Sequence, residues 1–301
     1  MKNGRMGKKL KHYLEYLLVK FLYTIILNLP EVIIRAVAKF GTFVFKTLLN
    51  YRSEIIDKNL SIAFPNASEQ EKAQIKEGFY THITLFFLEF IKGPRLDNEF
   101  LNSRVIIENK SLLERFKGKQ FILVTAHYGE FNIFLMKITQ FIGTHLNIIM
   151  KEQRNPYTNQ FMMDQRIACN QVPHLSKGAL RKTMKALSKG EYIGFLNDQN
   201  AGKSGIDAPF FGKNAPTMAG LAIMKEKFDL PILQGYCCRE GNGMYRIWLD
   251  EITVDRLEDE EKEAYYKRIL HASNLHLEKA IERYPDQYLW SHRRWDINNY
   301  E

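Results

Sequence analysis

The sequence has 301 residues, of which 45% are hydrophobic and 26% are charged. This composition excludes a disordered chain, a collagen-like repeat and a small disulfide-stabilised protein. The 43 basic and 34 acidic residues give a net charge of +9. The three cysteines, Cys169, Cys237 and Cys238, have the spacing of neither a disulfide framework nor a metal site. A globular protein from a reducing compartment is therefore expected.

The chain begins with a strongly basic segment that has no acidic residue before Glu15. Its cations are Lys2, Arg5, Lys8, Lys9 and Lys11. Such a segment attracts either anionic lipid or the phosphates of nucleic acid. We favour lipid and exclude nucleic acid, because no zinc-finger spacing, RNA-recognition pattern or basic zipper follows.

Two amphipathic helices are predicted after the basic segment, and Pro30 separates them. The uncharged run at residues 21–29 is too short to cross a bilayer. A basic amphipathic helix beside a basic tail is typical of an interfacial membrane anchor. We predict this anchor over residues 1–50 and a second domain over residues 51–301. Two alternatives stay open. The first helix packs on the domain, or it forms a tilted span with Glu15 and Lys20 near its start.

A long helix is predicted over residues 70–91, where Ser68 and Glu71 form a capping box at its start and Gly93-Pro94 ends it. Beyond this helix, short apolar runs alternate with helical segments. The predicted strands are residues 105–107, 121–126, 146–150 and 192–196, followed by a hairpin of 231–239 with 244–249. The predicted helices between and after them are residues 131–140, 156–169, 177–188 and 258–283. This alternation indicates an α/β fold with helices on both faces of a sheet.

The apolar strand at residues 121–126 leads directly to His127, and a helix follows Gly129. The carboxyl end of a strand, before a helix, is where α/β folds place reactive groups. A nearby helix N-terminus disfavours a charged imidazole, so that the ring stays neutral and can act as a base. His127 is accordingly the candidate base for attack of an alcohol on an acyl carbon.

Six blocks of sequence, in order along nearly the whole chain, resemble the bacterial lipid A biosynthesis acyltransferases of the lysophospholipid acyltransferase superfamily. The blocks are residues 58–65, His127-Tyr128-Gly129, Asn155-Pro156-Tyr157 with Arg166, residues 190–199, residues 209–217 and residues 284–295. The resemblance implies a mixed, mostly parallel central sheet flanked by helices, as in glycerol-3-phosphate acyltransferases. It also implies that residues 51–301 form an acyltransferase domain in which His127 has a catalytic role, without a metal or other cofactor.

The chain departs from the family pattern near His127. The family has an acidic residue five positions after its histidine, whereas Asn132 stands there in this chain and Glu130 precedes it. Either Glu130 orients the His127 ring with Asn132 in support, or Asn132 orients it in a slower or inactive protein. Lys151 likewise replaces the arginine that the family usually has before its Asn-Pro.

The resemblance assigns substrate contacts to eleven residues. These are Lys151, Arg154, Arg166, Asp198, Gln199, Phe210, Phe211, Gly212, Lys213, Arg293 and Arg294. Arg293 and Arg294, which Trp290 and Trp295 flank, would bind lipid phosphates at a membrane interface. Each has a purely structural alternative, in the core, in a turn or on the solvated surface.

By resemblance, the partners are an acyl carrier protein as donor, a lipid A precursor as acceptor and the lipids of the bacterial inner membrane. The protein would act at the cytoplasmic face of that membrane, where it would acylate the hydroxyl of a 3-hydroxyacyl chain. Two alternatives stay open. One is an acyl-CoA-dependent enzyme acting on another glycolipid or a lysophospholipid. The other is an inactive lipid-binding relative.

Overall fold

The computed structural model describes residues 2–176 and 178–300, and the side chains of these residues except 2–6, 31, 32, 35 and 297. Lys2 and Arg5 of the basic segment therefore lie outside the described side chains. The nine described strands are β1 (Val105–Ile107), β2 (Ile122–Thr125), β3 (Leu146–Met150), β4 (Gln171–Leu175), β5 (Tyr192–Leu196), β6 (Ile206–Phe210), β7 (Lys213–Thr217), β8 (Ile232–Arg239) and β9 (Tyr245–Ile252).

Seven of these strands form the central sheet of the described chain, in the order β1-β9-β8-β2-β5-β3-β4. Every neighbouring pair is parallel except β8 with β9, which form an antiparallel hairpin. The central strand β2 is fully buried, as its continuous apolar sequence predicts. The prediction of a mixed, mostly parallel sheet is confirmed.

Helices cover both faces of the sheet. The helices after residue 97 are α5 (Asn98–Arg104), α6 (Lys110–Arg115), α7 (Phe131–Ile142), α8 (Pro156–Ala168), α9 (Ala179–Leu187), α10 (Gly220–Phe228) and α11 (Lys262–Arg283). The apolar sides of α5, α6 and α7 share one core with the sheet, while α9, α10 and α11 share a core on the opposite face. The carboxyl ends of β2, β3, β4 and β5 meet at one edge, where the candidate site lies.

The first ninety residues are helical: α1 (Lys2–Asn28), α2 (Glu31–Phe43), a π-helical turn (Val44–Leu48), α3 (Ser53–Ala63) and α4 (Glu69–Lys92). Helix α1 packs against α4 and α8. The Tyr23 hydroxyl donates a hydrogen bond to Gln165 on α8 over 2.6 Å, and Arg95 donates one to the carbonyl of Leu27 over 2.8 Å. Among the described residues, no helix has both the length and the apolarity needed to cross a membrane.

The structure confirms the capping box of Ser68 with Glu71 and the hairpin of β8 with β9. Strand β4 was not predicted because Pro173 and polar residues interrupt its apolar pattern. A proline is tolerated there because β4 lies at the edge of the sheet. The separate antiparallel pair of β6 and β7 was also missed, since it contains two further prolines.

Candidate active site

His127 lies in a turn that the backbone holds from two sides. The N–H of Gly129 donates to the carbonyl of Gln287 over 2.9 Å, and the N–H of Leu289 donates to the carbonyl of His127 over 3.0 Å. Gly129 has a φ of +58°, and a Cβ at this position would stand 2.1 Å from the carbonyl oxygen of Cys237. Only glycine fits this turn without strain, and the turn presents His127 at the carboxyl edge of the sheet.

A carboxylate from the neighbouring strand holds the His127 ring. The Nδ1 atom of His127 lies 2.9 Å from Oδ1 of Asp198, and the backbone N–H of His127 donates to Oδ2 of Asp198 over 3.0 Å. The Asp198 side chain is only 2% exposed. Both carboxylate oxygens therefore fix the position of His127.

The ionised form of Asp198 is stabilised by this contact. Burial by itself would raise the pKa of Asp198, but the His127 ring and backbone N–H, together with the charge of Arg294, lower it below its usual value. An ionised carboxylate only accepts hydrogen bonds, so the Nδ1–H of His127 donates to Asp198. In a neutral ring, Nε2 is then the acceptor nitrogen, and the side-chain amide of Gln199 lies 3.4 Å from it.

The expectation that Glu130 orients the ring needs correction. Glu130 is 1% exposed and pairs with Arg239, which also binds Glu89 over 2.8 Å. Burial and the like charge of Glu89 raise the pKa of Glu130 well above its usual range, against the opposing effect of Arg239. Glu130 immediately precedes α7. Its side chain belongs to a buried charge cluster with Glu89 on α4 and Arg239 on β8.

Asn132 does not orient the ring either. Among the described residues, the ring nitrogens of His127 bond to Asp198 and Gln199. The side-chain oxygen of Asn132 instead accepts a hydrogen bond from Arg166 over 2.8 Å. Asn132 lies buried in the first turn of α7, and its side-chain amide contacts Arg166 on α8.

Apolar cavities adjoin the His127 ring. A small cavity beside His127 is lined by Phe79, His82, Ile83, Phe86 and Phe131, with Gly129 and Leu289. Phe86 and Phe131 also line a larger pocket of about 500 Å³ between α1, α4 and α8. The walls of this pocket are almost entirely apolar, which suits a hydrocarbon chain.

Two of the predicted substrate contacts belong to the core. Arg294 is fully buried and donates to the carbonyl of Pro216, to the hydroxyl of Thr217 and to Asn274. Phe210 is also fully buried, and its carbonyl accepts the indole N–H of Trp295. Neither Arg294 nor Phe210 is accessible to a lipid, and the expected interfacial belt of Trp290 and Trp295 is wrong because both rings are buried.

The other predicted contacts occupy separate places. Lys151 and Arg154 are exposed on the connection from β3 to α8, and Arg293 is exposed beside the ring of Tyr300. The tip of the β6–β7 pair, Phe211, Gly212 and Lys213, lines an open groove of about 620 Å³ against α3. Their substrate contacts stay predictions. Among the described residues, no cluster of histidine, cysteine or acidic side chains is arranged to hold a metal ion.

The sequence predicted Asp198 at this edge as a substrate contact, and the structure places its carboxylate on His127. Thr125 of β2 is in register with Leu196 of β5, so positions 127 and 198, each two residues further on, come side by side. The pairing of β2 with β5 brings these two positions together, and no local sequence motif predicts that proximity. Glu89 and Arg239 were missed because they are far apart in sequence from Glu130.

The chain matches the family model of the bacterial lipid A biosynthesis acyltransferases over residues 5–296. It is 25% identical over 261 residues to a lipid A biosynthesis palmitoleoyltransferase of Escherichia coli, covering 83% of this chain and 80% of the relative. It is 23% identical over 291 residues to a lipid A biosynthesis lauroyltransferase of the same species, covering 95% and 92%. A lipid A biosynthesis acyltransferase of Shigella flexneri is 25% identical over 261 residues, covering 83% and 80%. The chain therefore belongs to the bacterial lipid A biosynthesis acyltransferase family.

Proposed function

We propose that the protein transfers a fatty acyl chain from an acyl carrier protein thioester to the hydroxyl of a 3-hydroxyacyl chain on a lipid A precursor. The observation that carries this proposal is the pair of His127 and Asp198, placed beside an apolar pocket at the carboxyl edge of the sheet. Family membership supports the acceptor class, because the matched relatives are named for lipid A acylation.

In this reaction His127 is the general base. Its Nε2 atom takes the proton of the acceptor hydroxyl while the oxygen forms a bond to the thioester carbonyl carbon. Asp198, already ionised, stabilises the imidazolium that results. The carbon–sulfur bond then breaks, and the leaving sulfur takes the proton back from Nε2 as a thiol. The products are the ester and the free carrier thiol, and His127 returns to its neutral form.

A carrier protein donor is supported by a basic groove on the face of the sheet opposite α7. The groove lies between α9 and α10 and has a volume of about 590 Å³. Its cations are Arg181, Lys185 and Lys227, and no acidic residue lines it within the described chain. Acyl carrier proteins are acidic, and complementary charge steers and orients such a partner.

A location at the cytoplasmic face of the inner membrane is supported by the outer side of α1. The side chains of Leu10, Leu18 and Phe21 are each about 60% exposed. They accompany the cations Lys8, Lys9 and Lys11 on the same helix. An apolar face beside basic residues suits the surface of an anionic bilayer, where the acceptor lipid resides.

Deletion of the gene in its native host, followed by mass spectrometry of lipid A, tests this function. We expect lipid A that lacks one secondary acyl chain, restored by the wild-type gene and not by the His127→Ala variant. An unchanged acyl count in the deletion strain would exclude lipid A as the acceptor.

Purified protein distinguishes the donors and the inactive alternative. We expect turnover of an acyl carrier protein thioester and much slower turnover of the matching acyl-CoA. A faster reaction with acyl-CoA would favour the other donor. Absence of turnover with both, while lipid still binds, would identify an inactive lipid-binding protein.

A further inference from the structure

Arg166 on α8 carries a positive charge that no described carboxylate neutralises. Its NH1 group donates to two neutral amides, Asn132 over 2.8 Å and Gln171 over 3.2 Å. Its Nε is buried and has no hydrogen-bond partner within the described chain. Burial lowers the pKa of Arg166 to about 10, which leaves the group charged at neutral pH. A charge withdrawn from water without a counter-ion is costly.

Arg239, by contrast, is an arginine near the site that has acidic partners. Arg239 binds both Glu89 and Glu130, so that two carboxylates share one guanidinium. Because the acidic residue of this segment is at position 130 and the amide at 132, negative charge accumulates at Arg239 and none reaches Arg166. The two clusters therefore differ in charge, and the surplus positive charge is at Arg166.

Arg166 also forms part of the apolar pocket between α1, α4 and α8. Its guanidinium stacks on Phe90, 4.7 Å from the ring centre, and lies 5.8 Å from the ring centre of Phe131. Both rings line the same pocket, together with Leu22 and Met162. The pocket thus combines hydrocarbon walls with a single uncompensated cation.

We propose that this pocket binds long-chain carboxylates, with the Arg166 guanidinium as the counter-ion. A single aliphatic chain matches the apolar walls, and the one cation matches the single negative charge of a carboxylate. A phosphate monoester, with close to two negative charges at neutral pH, would need a second cation, and no other described residue of the lining is basic. A free fatty acid would compete with an acyl chain in this pocket and act as an inhibitor.

Equilibrium dialysis with radiolabelled palmitate and hexadecan-1-ol measures this preference on the full chain in a nonionic detergent. We expect palmitate to bind at least about tenfold more tightly than the alcohol of equal length. In the Arg166→Met variant the two ligands should bind equally, at the affinity of the alcohol. The Asn132→Asp variant, which places a carboxylate beside NH1, should also lose the preference, and it keeps the inference testable if Arg166→Met does not fold.

Two further variants serve as controls. Arg104→Gln removes an exposed cation outside the pocket and should retain the preference. Met162→Trp narrows the pocket and should weaken the binding of both ligands. Equal binding of palmitate and hexadecan-1-ol to the wild-type protein would overturn the inference, as would a preference that persists in Arg166→Met. No acyl donor or acceptor is present in this measurement, so its result is independent of the proposed transfer reaction.

Discussion

In the proposed mechanism, a single carboxylate decides which nitrogen of His127 is the base. Asp198 contacts both Nδ1 and the backbone N–H of His127, which fixes the ring and leaves Nε2 as the nitrogen that a substrate hydroxyl would approach. The side-chain amide of Gln199 lies 3.4 Å from this nitrogen. The arrangement is a histidine–carboxylate dyad built from two adjacent parallel strands.

The Asp198→Asn variant tests the dyad. An amide in place of the carboxylate removes the charge that stabilises the imidazolium and can hold the wrong tautomer, so we expect kcat to fall by about 10³- to 10⁴-fold. Steady-state acyl transfer measures the loss, and Glu130→Gln is the matched control, because Glu130 is equally buried but bonds to Arg239. A larger loss in Glu130→Gln than in Asp198→Asn would contradict the assignment.

The lowered pKa of Asp198 predicts a dependence of stability on pH. Between the folded and unfolded pKa values, the unfolded chain binds more protons, so folding stability rises with pH. This stability is complete above the ordinary aspartate value of about 4 and is lost as the pH falls towards the folded pKa. Urea unfolding at a series of acidic pH values measures this dependence. The free energy of unfolding should change less steeply with pH in the Asp198→Asn variant than in the wild-type protein. Parallel curves for the two proteins would argue against the shift.

At the scale of elements, the turn from β2 to α7 depends on Gly129. Alanine there is strained by the positive φ and meets the carbonyl of Cys237. We expect Gly129→Ala to lower the free energy of unfolding by about 3 kcal/mol or more, of which the left-handed backbone accounts for about 1–2. Gly118→Ala is the control, since Gly118 has a similar φ of +70° and open space around it. Equal losses in both, measured by urea unfolding, would show that the contact with Cys237 is unimportant.

The buried charge cluster joins α4, the start of α7 and β8. Replacement of Arg239 by leucine leaves Glu89 and Glu130 without their counter-ion, and we expect a loss of about 3–5 kcal/mol in the free energy of unfolding. Glu130→Gln should cost much less, because Arg239 keeps its ion pair with Glu89 in that variant and the raised pKa of Glu130 makes the loss of its charge less costly. Chemical denaturation of both variants tests this order, and the reverse order would contradict the charge assignment.

The strands and helices with continuous or periodic apolar patterns could be predicted from the sequence. Strands β3 and β5 lie at the predicted residues, and α7, α8 and α9 end within two residues of prediction. Strand β4 was not predicted, because its burial comes from neighbouring elements and its own sequence is polar. The partner of His127 was not predicted for a related reason. Glu130 is close to His127 in sequence, whereas strand register brings Asp198 close to it in space. Contacts between strands depend on tertiary structure, which a motif does not encode.

At the scale of the whole molecule, the two faces of the sheet differ in their surroundings. Helix α1 packs over α4 and α8 and exposes apolar and basic side chains, whereas the groove between α9 and α10 lies on the opposite face. The apolar pocket runs between α1 and the body of the protein. This arrangement would let a membrane lipid and a soluble donor approach from different sides.

The basic residues of α1 can be tested by vesicle binding. Combined replacement of Lys8, Lys9 and Lys11 by glutamine removes three charges, each of which contributes about 1 kcal/mol near an anionic surface. In a sedimentation assay, we expect the variant to bind vesicles containing phosphatidylglycerol roughly 100-fold more weakly than the wild-type protein. Binding to neutral vesicles should change little. The wild-type affinity should fall as salt is added. An unchanged affinity for anionic vesicles would contradict the proposed orientation.

The most direct measurement is acyl transfer by the purified protein, from an acyl carrier protein thioester to a lipid A precursor that carries a free 3-hydroxyacyl chain. Mass spectrometry of the lipid product reports the new ester. We expect the wild-type protein to form it and His127→Ala to form none while still binding the lipid. Ester formation by His127→Ala at the wild-type rate would remove His127 from the chemistry and contradict the proposed mechanism.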